Sequence, residues 1–206
     1  MTFTIAEDVQ LMLKERPGRL EYDSILPAAG ALIELTLLGR LTSTKKPGFF
    51  VTPVDRLLTV VDGAPTGQPI LDVALDILAA RDKPWRCDRA LLAIYRPVTT
   101  AIDESLAARG LARAIGKPSK FTGYLEITDQ TAFEARLSVL QRARTLPETV
   151  TDARLGAVVD VLRNGGNRFR GETGLHPHMT HDWYPAAATP TILGILKAEH
   201  MLTSSQ

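Results

Sequence analysis

The chain has 206 residues, of which 45% are hydrophobic and 23% charged, a composition typical of a globular protein rather than a disordered or fibrous one. Its 24 basic and 23 acidic side chains give a formal net charge of +1, which argues against a partner held by a strong overall field, as a nucleic-acid coat would be. The single cysteine, Cys87, excludes an internal disulfide and favours a reducing compartment.

The sequence shows neither a signal peptide nor a membrane span. Glu7 and Asp8 lie where a signal peptide would be basic and then apolar. The uncharged stretch at 184–196 contains two prolines and is shorter than the roughly 20 residues that cross a bilayer. These features predict a cytoplasmic protein.

Eight segments have the apolar spacing of helices. Thr4 and Glu7 form a capping box for the first, and the helix at 25–38 has Glu34 as its one charged residue, so we expect it to be buried. Thr131 and Glu134 indicate a second capping box. The predicted helices are 5–13, 25–38, 70–78, 88–95, 98–108, 131–144, 152–163 and 190–197.

Two hairpins are predicted, each after a helix that ends in glycine. The first pairs 41–44 with 49–52 around a Lys-Lys-Pro-Gly turn, and the second pairs 111–115 with 124–128. A helix followed by glycine and a hairpin is also the order of a winged helix, so a DNA-binding regulator is an alternative. The absence of Lys and Arg from 25–38 weakens it, because a recognition helix is normally basic.

Positive charge is concentrated in the middle of the chain. Residues 86–170 carry 14 basic and 9 acidic side chains, a local net charge of +5, whereas 1–85 and 171–206 each sum to −2. Taken alone, such a concentration is typical of a solvated helix face. It begins with Arg86, Arg89, Arg96, Arg109, Arg113, Lys117 and Lys120.

Candidate catalytic and metal sites have little support. The stretch 63–67 resembles a phosphate loop but lacks its lysine, so we expect a turn into the next helix. His176, His178 and His181 match no known zinc spacing, and a hydrolase or metal enzyme using this loop is the least favoured alternative. Arg86 and Arg89 beside Cys87 would lower its pKa, but no histidine partner can be assigned. We expect neither a catalytic residue, a metal nor a cofactor.

Three segments resemble the Golgi phosphoprotein 3 family of phosphoinositide-binding peripheral membrane proteins. They are the opening Thr-Ile-Ala-Glu-Asp-Val at 4–9, Gly-Ala-Leu-Ile-Glu-Leu-Thr-Leu-Leu-Gly-Arg-Leu at 30–41, and Asp-Gly-Ala-Pro-Thr-Gly-Gln-Pro-Ile-Leu-Asp-Val-Ala-Leu at 62–75. Leu-Ala-Ala-Arg-Gly-Leu at 106–111 matches the step before the family's hairpin. The resemblance covers residues 4 to about 165 and is poor over 165–206. The long acidic N-terminal extension of eukaryotic members is absent, as in a bacterial relative.

The resemblance implies a mainly α fold. We expect a single domain over 1–206, with a helical core, surrounding amphipathic helices and two small β-hairpins. It also implies a non-enzymatic protein, peripherally attached to anionic phospholipid beside a pocket for a phosphatidylinositol 4-phosphate-like headgroup, and an adaptor role whose protein client stays unidentified. No nucleic-acid partner is expected.

The resemblance also points to lipid-binding residues. Of the family's pocket tryptophan and three arginines, the tryptophan falls near Tyr22, one arginine falls on Ala28, and the spaced pair falls on Arg96 and Thr99, so Arg96 alone is retained. Lys117, Lys120 and Phe121 at the second hairpin tip combine two cations with an aromatic ring.

One such tip gives weak attachment. At about 1 kcal/mol for each lysine near an anionic surface and about 2 kcal/mol for the ring, it supplies roughly 4 kcal/mol, a millimolar affinity. Stable attachment then requires the other basic residues, a bound headgroup, or a homo-oligomer that presents several hairpins.

Overall fold

The computed structural model describes residues 3–13, 19–20, 25–45, 56–115, 124–165 and 182–204. Within these residues it is mainly α-helical, as predicted, with short strands between the helices. The helices are α1 Ile5–Met12, α2 Leu26–Leu37, α3 Pro69–Ala79, α4 Cys87–Ala108, α5 Gln130–Thr145, α6 Ala153–Asn164 and α7 Thr189–Ser204. The strands are β1 Arg19–Leu20, β2 Leu41–Lys45, β3 Arg56–Val60, β4 Trp85–Arg86, β5 Ala112–Ile115 and β6 Tyr124–Ile127.

The strands form two antiparallel three-stranded sheets rather than two isolated hairpins. One has the order β2-β3-β4 and the other β1-β6-β5. The pairing of β5 with β6 confirms the second predicted hairpin, with Ala112 opposite Ile127. The first prediction was wrong in its second strand, because β2 pairs with β3 in a register that places Leu41 opposite Val60. The predicted strand at 49–52 lies outside the described residues.

The core is built around α1 and α2. All eight residues of α1 are buried, and so are eleven of the twelve residues of α2. The two helices approach closely at Gly30, where an added Cβ would lie 3.1 Å from the backbone nitrogen of Ala6. Because α2 is enclosed, it cannot enter a DNA groove as the recognition helix of a winged helix.

The two helices that precede the sheets end in the same way. At the end of α2, Gly39 has a φ of 72°, and the N–H of Arg40 donates to the carbonyl of Leu35 at 2.8 Å. At the end of α4, Gly110 has a φ of 67°, and the N–H of Leu111 donates to the carbonyl of Leu106 at 2.9 Å. Both are glycine-dependent Schellman caps, which turn the chain into β2 and β5.

Three helix boundaries differ from prediction. The predicted helices at 88–95 and 98–108 are one helix, α4, which continues through Pro97. The cap of α5 is Asp129, whose carboxylate accepts from the N–H of Ala132 at 2.9 Å, not Thr131. The last helix extends beyond Lys197 to Ser204 and contacts α2, α4 and α6. It therefore forms part of the core that supports α4.

The loop before α3 is the expected turn. The N–H and hydroxyl of Thr66 both donate to Oδ1 of Asp72, at 2.6 and 2.7 Å. Gly67 has a φ of 77°, and Pro69 occupies the first turn of the helix. These contacts hold the loop against α3.

Candidate membrane-facing site

The exposed face of α4 combines positive charge with an apolar side chain. Arg89, Leu92 and Arg96 are all exposed and follow one another at spacings of three and four, so they lie on one side of the helix. Arg89 and Arg96 are two turns apart, about 10 Å along the axis. Leu92 between them is 42% exposed. We call these three residues the α4 face.

Arg96 is held by its neighbour on the helix. Its Nε donates to the hydroxyl of Tyr95 at 2.7 Å, and its guanidinium lies 5.4 Å from the centre of the Tyr95 ring. A planar guanidinium beside an aromatic ring is more oriented than a lysine ammonium, and a guanidinium recognises oxyanions by directed hydrogen bonds. The structure therefore presents Arg96 as an oriented, exposed cation.

The strands β5 and β6 support the second hairpin. The guanidinium of Arg113 on β5 forms an exposed ion pair with Glu126 on β6, and the short β1 pairs with the far edge of β6. The predicted tip residues Lys117, Lys120 and Phe121 lie outside the described residues. Their role at a membrane stays a prediction.

Part of the positive charge in the middle of the chain is directed inward. Three arginines, namely the C-cap residue of α4 and one residue each of α5 and α6, pair with three buried carboxylates of α1 and α2. Arg136 contacts Asp8 through two nitrogens, with Nε at 2.8 Å from Oδ1. The other pairs are Arg109 with Glu7 and Arg154 with Glu34. The pattern of charge along the sequence predicts these basic residues at the surface and does not reveal the network, because the paired residues are more than 100 positions apart.

These ion pairs also contact Phe3 and the first residue of α1. Glu34 also accepts the N–H of Ile5 at 2.6 Å, and the guanidinium of Arg109 lies 5.1 Å from the centre of the Phe3 ring. Burial raises the pKa of Asp8 and of Glu34, and the paired arginines oppose that effect. These arginines hold the N-terminal helix in place, so they contribute less to the outer surface than their number suggests.

Comparison with protein families identifies the fold. The family model described as Golgi phosphoprotein 3 (GPP34) matches residues 5–171. The chain belongs to the Golgi phosphoprotein 3 family. A search among curated proteins gave no match. None of the described helices is both long and apolar enough to cross a membrane.

The structure shows where most of the positions predicted for the headgroup pocket lie. Ala28 is buried within α2. Thr99 is also buried, and its hydroxyl donates to the carbonyl of Tyr95 at 2.8 Å. Tyr22 lies outside the described residues. Arg96 is therefore the one predicted pocket residue that the described part of this Golgi phosphoprotein 3 relative exposes.

Two candidate reactive groups were predicted from the sequence, the thiol of Cys87 and a cluster of three histidines. The prediction for Cys87 was wrong in sign. The side chain is buried, and burial raises the pKa of its thiol to about 12 despite the opposing charge of Arg56. Its thiol donates to the carbonyl of Arg56 at 3.5 Å. The cluster of His176, His178 and His181 lies outside the described residues, so the absence of a zinc site stays a prediction.

Proposed function

We propose that this chain is a non-enzymatic peripheral membrane protein that binds anionic phospholipid through the α4 face and the hairpin of β5 and β6. The observation that supports this most strongly is the exposure of Arg89, Leu92 and Arg96 on one side of a helix in a member of this family. Cations that flank an apolar side chain suit the boundary between headgroups and acyl chains.

The expected binding free energies indicate that stable attachment needs both the α4 face and the hairpin. Two arginines near an anionic surface supply about 2 kcal/mol, and partial burial of Leu92 adds about 1 kcal/mol. With roughly 4 kcal/mol from the hairpin tip, the sum corresponds to a dissociation constant on the order of 10 μM. Neither surface alone gives stable attachment.

Selectivity for a phosphomonoester headgroup is assigned to Arg96. A guanidinium donates directed hydrogen bonds to phosphate oxygens, whereas a lysine acts as a point charge. With one of the family's pocket arginines retained, we propose that this chain prefers phosphatidylinositol 4-phosphate to phosphatidylserine at equal surface charge, but only modestly. An adaptor role would follow from a protein client held at the same membrane.

Liposome flotation with matched arginine variants tests the proposal. The wild-type chain is expected to float with vesicles that contain anionic lipid, less so at high salt, because surface charges are screened within about 10 Å at 0.1 M salt. Arg96→Ala is expected to lose its preference for the phosphomonoester, whereas Arg142→Ala on the exposed side of α5 is expected to match wild type. Equal flotation on neutral vesicles, or equal losses in both variants, would contradict the proposal.

The same samples can be tested for binding to duplex DNA, which is the alternative function. The proposal predicts no shift of duplex DNA at physiological salt, because the overall charge is +1. A protein that shifts DNA and ignores anionic vesicles would replace the membrane role with nucleic-acid binding.

A further inference from the structure

A cavity of about 210 Å³ lies between the N-terminal residues, the end of α2 and the start of α3. Its lining is half apolar, from Phe3, Leu38 and Leu71, and half polar, from Gln68 and Arg154 among others. Leu71 is fully buried and Leu38 is half exposed, so the apolar part runs from the floor to the rim.

The cavity is where the segments that carry the family resemblance meet. Thr4 comes from the opening segment, Glu34 and Leu38 from the segment at 30–41, and Thr66 and Leu71 from the segment at 62–75. The membrane-facing site uses none of these segments, so their convergence on one cavity has no role in the proposed attachment.

The polar lining contains both members of an ion pair, Arg154 and Glu34. The side chain of Arg154 is 39% exposed, whereas that of its partner Glu34 is 3% exposed. Arg154 donates from Nη1 to Glu34 and from Nη2 to the carbonyl of Phe3 at 3.0 Å. A guanidinium has five N–H groups, so donors remain on the side chain that lines the cavity.

The side-chain amide of Gln68 adds N–H donors to the lining. The amide of Gln68 is exposed and makes no capping bond to α3. A ligand that carries hydrogen-bond acceptors and a short apolar body would match these donors and the apolar side chains of Leu38 and Leu71.

We propose that this cavity binds a small monocarboxylate, with its carboxylate on Arg154 and Gln68 and its apolar body against Leu38 and Leu71. A hydrogen bond from a guanidinium to a carboxylate is charge-assisted, and the apolar floor favours an alkyl group over a hydrophilic one. Isovalerate, a branched monocarboxylate, is a suitable probe for a cavity of about 210 Å³.

Isovalerate and isovaleramide test the charge requirement, because they have the same number of non-hydrogen atoms and differ in the carboxylate. Saturation-transfer NMR on the full chain is expected to show isovalerate binding with a dissociation constant on the order of 1 mM. Isovaleramide is expected to bind about tenfold more weakly. Equal binding of the two, or no saturable binding of isovalerate up to about 20 mM, would overturn the proposal.

Leu38→Trp tests the location without touching the ion pair of Arg154. The larger side chain at the rim is expected to fill the cavity and weaken isovalerate binding about tenfold. Val139→Trp, on an exposed position of α5, is the matched control and is expected to bind like wild type. Unchanged binding in Leu38→Trp would place the ligand elsewhere.

N-acetylvaline separates a free acid from the carboxyl end of a peptide. Its amide group would lie against the apolar side of the cavity without a hydrogen-bond partner, so we expect weaker binding than that of isovalerate. Tighter binding of N-acetylvaline would overturn the assignment to a free small acid.

Discussion

The carboxyl of Glu199 on α7 makes the stability of this domain dependent on pH. The residue is fully buried, and its Oε2 has no hydrogen-bond partner in the described part of the chain. Its other oxygen accepts from the hydroxyl of Thr203 at 3.4 Å. Burial raises the pKa of Glu199 from 4.5 to about 8. The folded chain therefore keeps this carboxyl protonated at neutral pH.

The sign of the effect follows from the two pKa values. Below pH 4.5 the carboxyl is protonated in both states, and its contribution to stability is fully present. Between pH 4.5 and about 8 the unfolded chain ionises while the folded chain does not, so stability falls by about 1.4 kcal/mol per pH unit. At pH 7 the loss is about 3 kcal/mol.

Glu199→Gln removes this loss, because an amide does not ionise. We expect the variant to be about 3 kcal/mol more stable than wild type at pH 7 and within about 1 kcal/mol of it at pH 5. Urea unfolding followed by circular dichroism measures both differences. Glu104→Gln, at an exposed position of α4, is the control and should change little. A Glu199→Gln variant with the same advantage at pH 5 and pH 7 would refute the reasoning.

Three further changes test the packing and the hairpin. Gly30→Ala places a methyl group 3.1 Å from the backbone of Ala6 and should lower stability by about 1 to 3 kcal/mol in urea unfolding. Arg136→Ala leaves the buried carboxylate of Asp8 without its two-nitrogen partner and should lower the free energy of unfolding by about 2 to 3 kcal/mol. The control Arg142→Ala, on the same helix, should lower it by less than about 0.5 kcal/mol. Equal melting temperatures for the two variants would contradict the network. Phe121→Asp should lower vesicle binding about tenfold with an unchanged melting temperature, and wild-type flotation of this variant would remove the hairpin from the contact surface.

Local features were predictable because their causes are local. The capping box of Thr4 and Glu7 is present as expected, with the N–H of Thr4 donating to Glu7 at 2.7 Å. The spacing of apolar residues located α2 and α3 to within a residue or two. Gly39 and Gly110 ended their helices as predicted, since a positive φ favours glycine.

Long-range features were not predictable from the same patterns. The second strand of the first hairpin was predicted from its turn residues, whereas the strand that pairs with β2 lies further along the chain and carries the buried Leu58. The ion pairs of Glu7, Asp8 and Glu34 join segments that local periodicity treats as independent. In the candidate site, the sequence identified Arg96 through the family resemblance, but the exposure of Leu92 beside it required the structure.

A fluorescent label at position 92 tests the membrane contact most directly. Cys87 is buried and has a pKa of about 12, so a Leu92→Cys variant can be labelled at the introduced thiol alone with an environment-sensitive dye. The proposed contact predicts a blue shift on vesicles that contain anionic lipid, reversed at high salt, and no shift for the same dye on Val139→Cys. A label at position 92 that stays water-exposed while the protein floats with those vesicles would contradict the account.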